Sequence, residues 1–154
     1  MSITTTTHLN FRGDARSALE FYASVFGGKA TIATYGDFGM PAEAPGADRV
    51  VFGQVQTDGG FRVMAYDIPG QAVGSQPEGA RAEGSTRREN GVTLTTSPFF
   101  VSVRGDSLTE VEGYWQSLSA GASIVEPLAA SAWSPGFGML TDRFGVTWIL
   151  DVAA

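Results

Sequence analysis

The chain carries one histidine, His8, and no cysteine. An imidazole near neutral pH can accept or donate a proton, hold a hydrogen bond or ligate a metal. With no thiol available, disulfides, iron–sulfur clusters, Cys-based zinc sites and cysteine nucleophiles are excluded. A multi-histidine metal centre is excluded as well. A divalent ion needs about three nitrogen or oxygen donors from the protein. Such a site would therefore combine His8 with carboxylates. Four aromatic residues, Tyr35, Tyr66, Trp133 and Phe137, have the character of walls for a planar or apolar ligand. Phe137 reads better as core, and Trp133, in the irregular run Ser131-Ala132-Trp133-Ser134-Pro135, reads better as pocket.

The elements that must position these residues recur in the same order twice. Ile3 to Phe11 suits an extended strand. Asp14 can cap a helix whose apolar stripe is Ala15, Ala18, Leu19, Tyr22 and Phe26, with Gly27-Gly28 as its stop. Later, Phe99 to Val103 precedes Ser107-Leu108-Thr109-Glu110, a capping box. The second stripe is Val111, Tyr114, Trp115 and Leu118, ending at Gly121. Each helix is followed by three strand-like runs: Lys29 to Tyr35, Arg49 to Gln56 and Phe61 to Tyr66, then Ala122 to Glu126, Phe137 to Thr141 and Val146 to Val152. Asp58-Gly59-Gly60 and Asp142-Arg143-Phe144-Gly145 supply turns. The pattern predicts an α+β fold of two βαβββ modules within one domain spanning 1–154. Module one covers about 1–68 and module two about 98–154. The polar stretch between them, about 69–97, reads as a linker with a flexible excursion.

Length and composition bound what such a fold can do. A chain of 154 residues, 43% apolar and 17% charged, suits one globular core. Ten Lys and Arg against sixteen Asp and Glu give a net charge of −6. That balance argues against nucleic-acid partners, which need a clustered basic surface. Arg87-Arg88 is the only adjacent basic pair, and its polar surroundings predict a solvated loop. No run approaches the roughly 20 apolar residues of a membrane span. The first residues lack the basic and apolar regions of a signal peptide, so a cytoplasmic protein is expected.

The motifs resemble the PhnB-like branch of the glyoxalase/bleomycin-resistance/dioxygenase (vicinal oxygen chelate) superfamily. The likeness rests on His8-Leu9-Asn10-Phe11 with Gly13-Asp14, Ala18-Leu19-Glu20-Phe21-Tyr22, Val25-Phe26-Gly27-Gly28 and Tyr35-Gly36-Asp37. It continues through Val63-Met64-Ala65-Tyr66-Asp67-Ile68-Pro69 and is strongest over Trp133 and Phe137 to Trp148. The resemblance implies curved mixed sheets around a cleft for a small-molecule ligand, and a homodimer. In metal-dependent relatives each module offers ligands from its first and last strands. Carried over, His8 takes the first position, Met64 the first carboxylate position, Phe99 or Phe100 the second histidine position, and Ile149 the last. Three of these four are apolar. Asp67 and Asp151 lie close in sequence to the implied carboxylate positions, but strand alternation decides which face each occupies, and Asp67, three residues after Met64, is expected to point the other way. The resemblance thus implies a ligand pocket of His8, Tyr35, Met64, Tyr66, Asp67, Phe100, Trp133 and Met139. No catalytic residue is assigned, and a divalent metal has His8 as its sole candidate ligand. The leading expectation is a small-molecule binder or an enzyme of unassigned reaction, without a complete metal site. A metal-dependent lyase, isomerase or dioxygenase, and a drug-sequestering resistance protein, are the alternatives.

Other signals are set aside. Asp37-Phe38-Gly39 spells the magnesium tripeptide of kinases, but the rest of the kinase motif set is missing. PhnB-like chains often carry a demethylubiquinone methyltransferase label. Here Gly27-Gly28 closes a helix instead of opening one towards a cofactor. There is no Gly-x-Ser-x-Gly elbow. Before Trp133, where near relatives carry a polar Gln-Glu-Thr run, the chain reads Ala129-Ala130-Ser131-Ala132. That change removes groups able to orient or deprotonate a substrate.

Overall fold

A computed structural model describes residues 2–70 and 85–154. The chain divides into two compact units, Met1–Ser75 and Gln76–Ala154. In the first, β1 (Thr7–Phe11) leads into α1 (Ala15–Phe26), followed by β2 (Lys29–Thr34), β3 (Val50–Gln56) and β4 (Arg62–Asp67). In the second, a short hairpin of β5 (Arg87–Glu89) and β6 (Val92–Leu94) precedes β7 (Val101–Gly105), α2 (Leu108–Leu118), β8 (Ser123–Ala129), β9 (Phe137–Thr141) and β10 (Thr147–Val152). The strand orders are β1-β4-β3-β2 and β7-β10-β9-β8. In each sheet the first strand pairs parallel with the last, and the other pairs are antiparallel. This is the expected α+β architecture of two βαβββ modules.

In the first module, Ala15, Ala18, Leu19, Tyr22, Val25 and Phe26 bury one side of α1. The helix packs on β2, β3 and β4, where Val50, Val55, Val63 and Ala65 are buried. Fully burying such a side chain stabilises by about 1.5–3 kcal/mol. The helix ends as Gly27 turns left-handed, with φ +76. Its start departs from the sequence reading. Asp14 makes no side-chain cap bond. Instead Asp67 Oδ1, arriving from the end of β4, accepts from the backbone N–H of Gly13 (2.8 Å) and of Ala15 (3.1 Å).

In the second module, Ser107 caps α2 as the capping-box motif predicts, its hydroxyl accepting from Glu110 N–H. Val111 and Leu118 bury the helix against Leu140, Trp148 and Leu150. Asp142, fully buried, organises the β9–β10 turn. Its carboxylate accepts from the N–H groups of Phe144 and Val146 and from Trp148 Nε1 at 2.9 Å.

A glycine sits at the same register position in both sheets: Gly53 opposite Ala65, Gly138 opposite Leu150. Any side chain there would collide with the covering helix. A Cβ on Gly138 would come 2.7 Å from the Trp115 ring, and one on Gly53 would strike Leu19 Cδ1. Glycine at this position lets helix and sheet approach closely.

Two expectations change. The strand predicted at Phe99–Val103 is β7, two residues later. Phe99 and Phe100 precede it, and the strand instead takes in Arg104, tied across to Asp151 by two hydrogen bonds of 3.0 and 2.7 Å. Within the stretch read as a linker, residues 87–94 form the hairpin. Its turn is Asn90 (φ 53) and Gly91 (φ 77), the doubly left-handed geometry that Asn-Gly favours. The rest of that stretch, residues 71–84, and with it any excursion there, lies outside the described residues.

Candidate functional site

Alternation along β1 buries Leu9 and Phe11 under the helix and turns His8 and Asn10 to the opposite, open face. The register sets His8 beside Met64 and Asn10 beside Tyr66. His8 Nδ1 lies 3.1 Å from Asn10 Oδ1. An amide oxygen only accepts, so in this contact the imidazole is the donor. The His8 ring meets Tyr66 edge-on at 5.2 Å. Met64 pairs in turn with Gln54, whose amide donates to Gln56 Oε1 at 2.9 Å. One open sheet face thus carries an imidazole, a phenol ring, a thioether and carboxamides.

The other candidates lie elsewhere. Asp67 occupies the helix-side face with Val63 and Ala65, opposite Met64 and Tyr66. Its carboxylate is 1% exposed and accepts three backbone N–H groups, the third from Val50 at 2.9 Å. That environment makes it a scaffold residue and corrects its assignment to the ligand pocket. Tyr35 Oη donates to the Asp67 carbonyl at 2.7 Å, and burial, with the nearby Tyr66 and Asp67, pushes its phenol above the ordinary range. Tyr35 lines a separate cavity of about 290 Å³ with Met40, Pro45, Gly46, Arg49, Pro69 and Gly70.

In the second module Met139 is 1% exposed, beneath Thr93 of the hairpin. Trp133 is 57% exposed and meets Phe137 edge-on at 5.3 Å. Phe100 is half-buried just before β7. Arg88, expected in a solvated loop, is the second correction. Its side chain packs 5.5 Å above the Phe137 ring and 3.3 Å from Glu126, while its guanidinium donates to Thr93 Oγ1 and the Gly91 carbonyl. Arg87 remains in solvent, bonded to Glu89.

The sheets also fix the four positions where metal-dependent relatives carry ligands. Ile68 N–H bonds the Phe11 carbonyl, and Ala153 N–H bonds the Gly105 carbonyl, so Phe11 and Gly105 are equivalent. Counting back, His8 corresponds to Ser102. The register then pairs His8 with Met64 and Ser102 with Ile149. The second-module position is therefore Ser102, not Phe99 or Phe100. The set offers one imidazole, one thioether, one hydroxyl and one alkyl group. It does not fit a divalent ion that needs about three nitrogen or oxygen ligands. Among the described residues, no group of three or more His, Cys, Asp or Glu could hold a metal ion.

The family model described as the Glyoxalase/Bleomycin resistance protein/Dioxygenase superfamily matches residues 6–150, and the chain belongs to this superfamily. Among solved structures, protein PA1353 from Pseudomonas aeruginosa is 26% identical, with a TM-score of 0.72 over 99% of this chain and 98% of that one. A Bacillus cereus PhnB protein, titled a putative 3-demethylubiquinone-9 3-methyltransferase, is 24% identical, with a TM-score of 0.67 over 98% and 100%. A glyoxylase/bleomycin resistance protein/dioxygenase domain from Frankia sp. EAN1pec shares the fold at 15% identity and a TM-score of 0.63, over 100% and 93%. No protein with a curated description matches the chain in sequence.

Proposed function

We propose that this chain is a small-molecule-binding PhnB-like protein whose ligand rests on the open face of the first sheet, around His8, Met64 and Tyr66, without a complete metal centre. The observation that carries the reading is the donor chemistry of the four register-defined positions, where only His8 offers a nitrogen. An aromatic ring and a thioether beside an imidazole suit a planar ligand bearing one polar group. A homodimer in the cytoplasm accompanies this proposal, supported by the partly exposed Phe52, Ile124 and Trp133. Light scattering on the purified protein should give twice the monomer mass.

The ligand is sought by thermal shift with a library of planar metabolites, free of added metal. Hits should raise Tm in the wild type and lose most of that rise in His8→Ala and Tyr66→Ala. Hits that survive both substitutions would place the ligand elsewhere and remove the proposal.

A further inference from the structure

The loop between β2 and β3 encloses space that the open sheet face does not use. Residues 35–49 are tied internally by a series of backbone hydrogen bonds, among them Tyr35 N–H to Arg49 carbonyl (3.0 Å), Gly36 N–H to Ala47 carbonyl (2.8 Å) and Arg49 N–H to Gly46 carbonyl (3.1 Å). Asp37 closes the loop's entrance by accepting from Thr34 N–H at 2.8 Å, which holds its carboxyl below the ordinary range. The cavity of about 290 Å³ lies against this loop, bounded by Tyr35, Met40, Pro45, Gly46, Arg49, Pro69 and Gly70.

Its walls are held from behind. Tyr35 Oη is fixed on the Asp67 carbonyl, and Val50, next to Arg49, donates its N–H to Asp67 Oδ2. A site built on fixed walls loses little ordering entropy when it binds. Its volume falls at the low end of small-molecule sites, about 300–1,000 Å³. The lining is mostly apolar: a thioether, two proline rings and one aromatic ring. Of the seven lining residues only Arg49 is charged, and none is acidic. A guanidinium has five donors in a planar fork that matches a carboxylate, and it can serve a protein neighbour and a ligand together.

We infer that this cavity is a second binding site, distinct from the His8 face, for a small organic carboxylate with an apolar body. The carboxylate meets Arg49, and the body lies between Met40, Pro45 and Pro69 against the Tyr35 ring.

Benzoate serves as the probe and benzyl alcohol as its uncharged counterpart, both followed by amide NMR shifts at constant ionic strength. Benzoate should saturate one site, moving the resonances of Tyr35, Gly46, Arg49 and Gly70 and leaving those of His8, Met64 and Tyr66 in place. Benzyl alcohol should bind at least tenfold more weakly. Arg49→Met should weaken benzoate at least tenfold, and Arg87→Met, which removes an exposed charge, should not. Met40→Trp fills the space while keeping the guanidinium, and should also abolish binding. It decides the matter if Arg49→Met fails to fold. Equal binding of the two probes, benzoate shifts centred on His8, or full affinity in Met40→Trp would overturn the inference.

Discussion

At the junction where the third and fourth strands of each module meet, the N-terminal half uses a carboxylate and the C-terminal half a hydroxyl, and they reach in opposite directions. Asp67, at the end of β4, reaches back to the N–H of Val50 at the start of β3. In the second module Val152 holds the register position of Asp67. There Ser134, just before β9, reaches forward: its Oγ lies 2.7 Å from the Val152 carbonyl and 3.2 Å from Val152 N–H. The residue equivalent to Val50, three before the conserved-register glycine, is Pro135, which has no N–H to satisfy. The acceptor needed in one module is therefore unnecessary in the other. Asp67 must also replace the missing helix cap of α1, whereas α2 caps itself with Ser107. Equal topology does not require equal chemistry. A buried carboxylate can thus be a fastener in one repeat without a counterpart in the next.

The largest expected effect breaks this comparison at its strongest point. Asp67→Ala leaves two buried N–H donors and a part-buried one without their acceptor, and should cost about 3–5 kcal/mol by urea unfolding. Ser134→Ala should cost about 1–2 kcal/mol, because a neutral hydroxyl is the weaker tie. Equal losses would mean that the junctions are held alike.

The paired glycines sharpen the symmetry instead. Gly53→Ala and Gly138→Ala should each cost about 1–3 kcal/mol through overpacking against the helix. Similar losses are expected, since both added methyls also meet backbone, the Ala65 carbonyl at 2.9 Å and the Leu128 Cα at 3.0 Å. No measurable loss in either would show that the helices do not need the close approach.

A smaller effect separates the faces. On the open face of the first sheet Gln54 is half-buried, whereas Met139, its register equivalent in the second, is buried under the hairpin. Arg88→Met should remove the contacts with Phe137, Glu126 and Thr93 and speed hydrogen exchange across residues 87–94. Arg87→Met should leave that exchange unchanged, its partner Glu89 being equally exposed.

The smallest concerns pH. Because the Tyr35 phenol is raised in the folded chain, folding favours its neutral form. That contribution is fully present below the ordinary tyrosine value near 10 and is lost as pH rises through the higher folded value. Tm measured across alkaline pH should fall less steeply in Tyr35→Phe than in the wild type. An identical slope would show that the phenol titrates normally.

How far the sequence carried this account depends on whether a feature repeats. Strand–helix–strand order appears twice, so apolar periodicity and the glycine stops sufficed for the modules and the succession of their elements. His8 was legible because a lone histidine in an alternating strand has only two faces to occupy. The second-module position was not legible. Phe99 and Phe100 look more strand-like than Arg104 and Gly105, and the register appears only in the pairing of β7 with β10, which sets Ser102 beside Ile149. The hairpin had a readable signal in Asn90-Gly91, masked by the polar residues around it. Arg88 depends on contacts with Phe137 and Glu126, some forty to fifty positions away, and no local pattern encodes them. The cavity beside Arg49 likewise arises from a loop and a strand end that only folding brings together.

The central claim, that one imidazole stands where relatives assemble a metal-binding set, is tested most directly by calorimetric titration of the purified protein with nickel, zinc and manganese. Weak heats that are the same in wild type and His8→Ala are predicted. Stoichiometric, tight binding that disappears with His8 would contradict it.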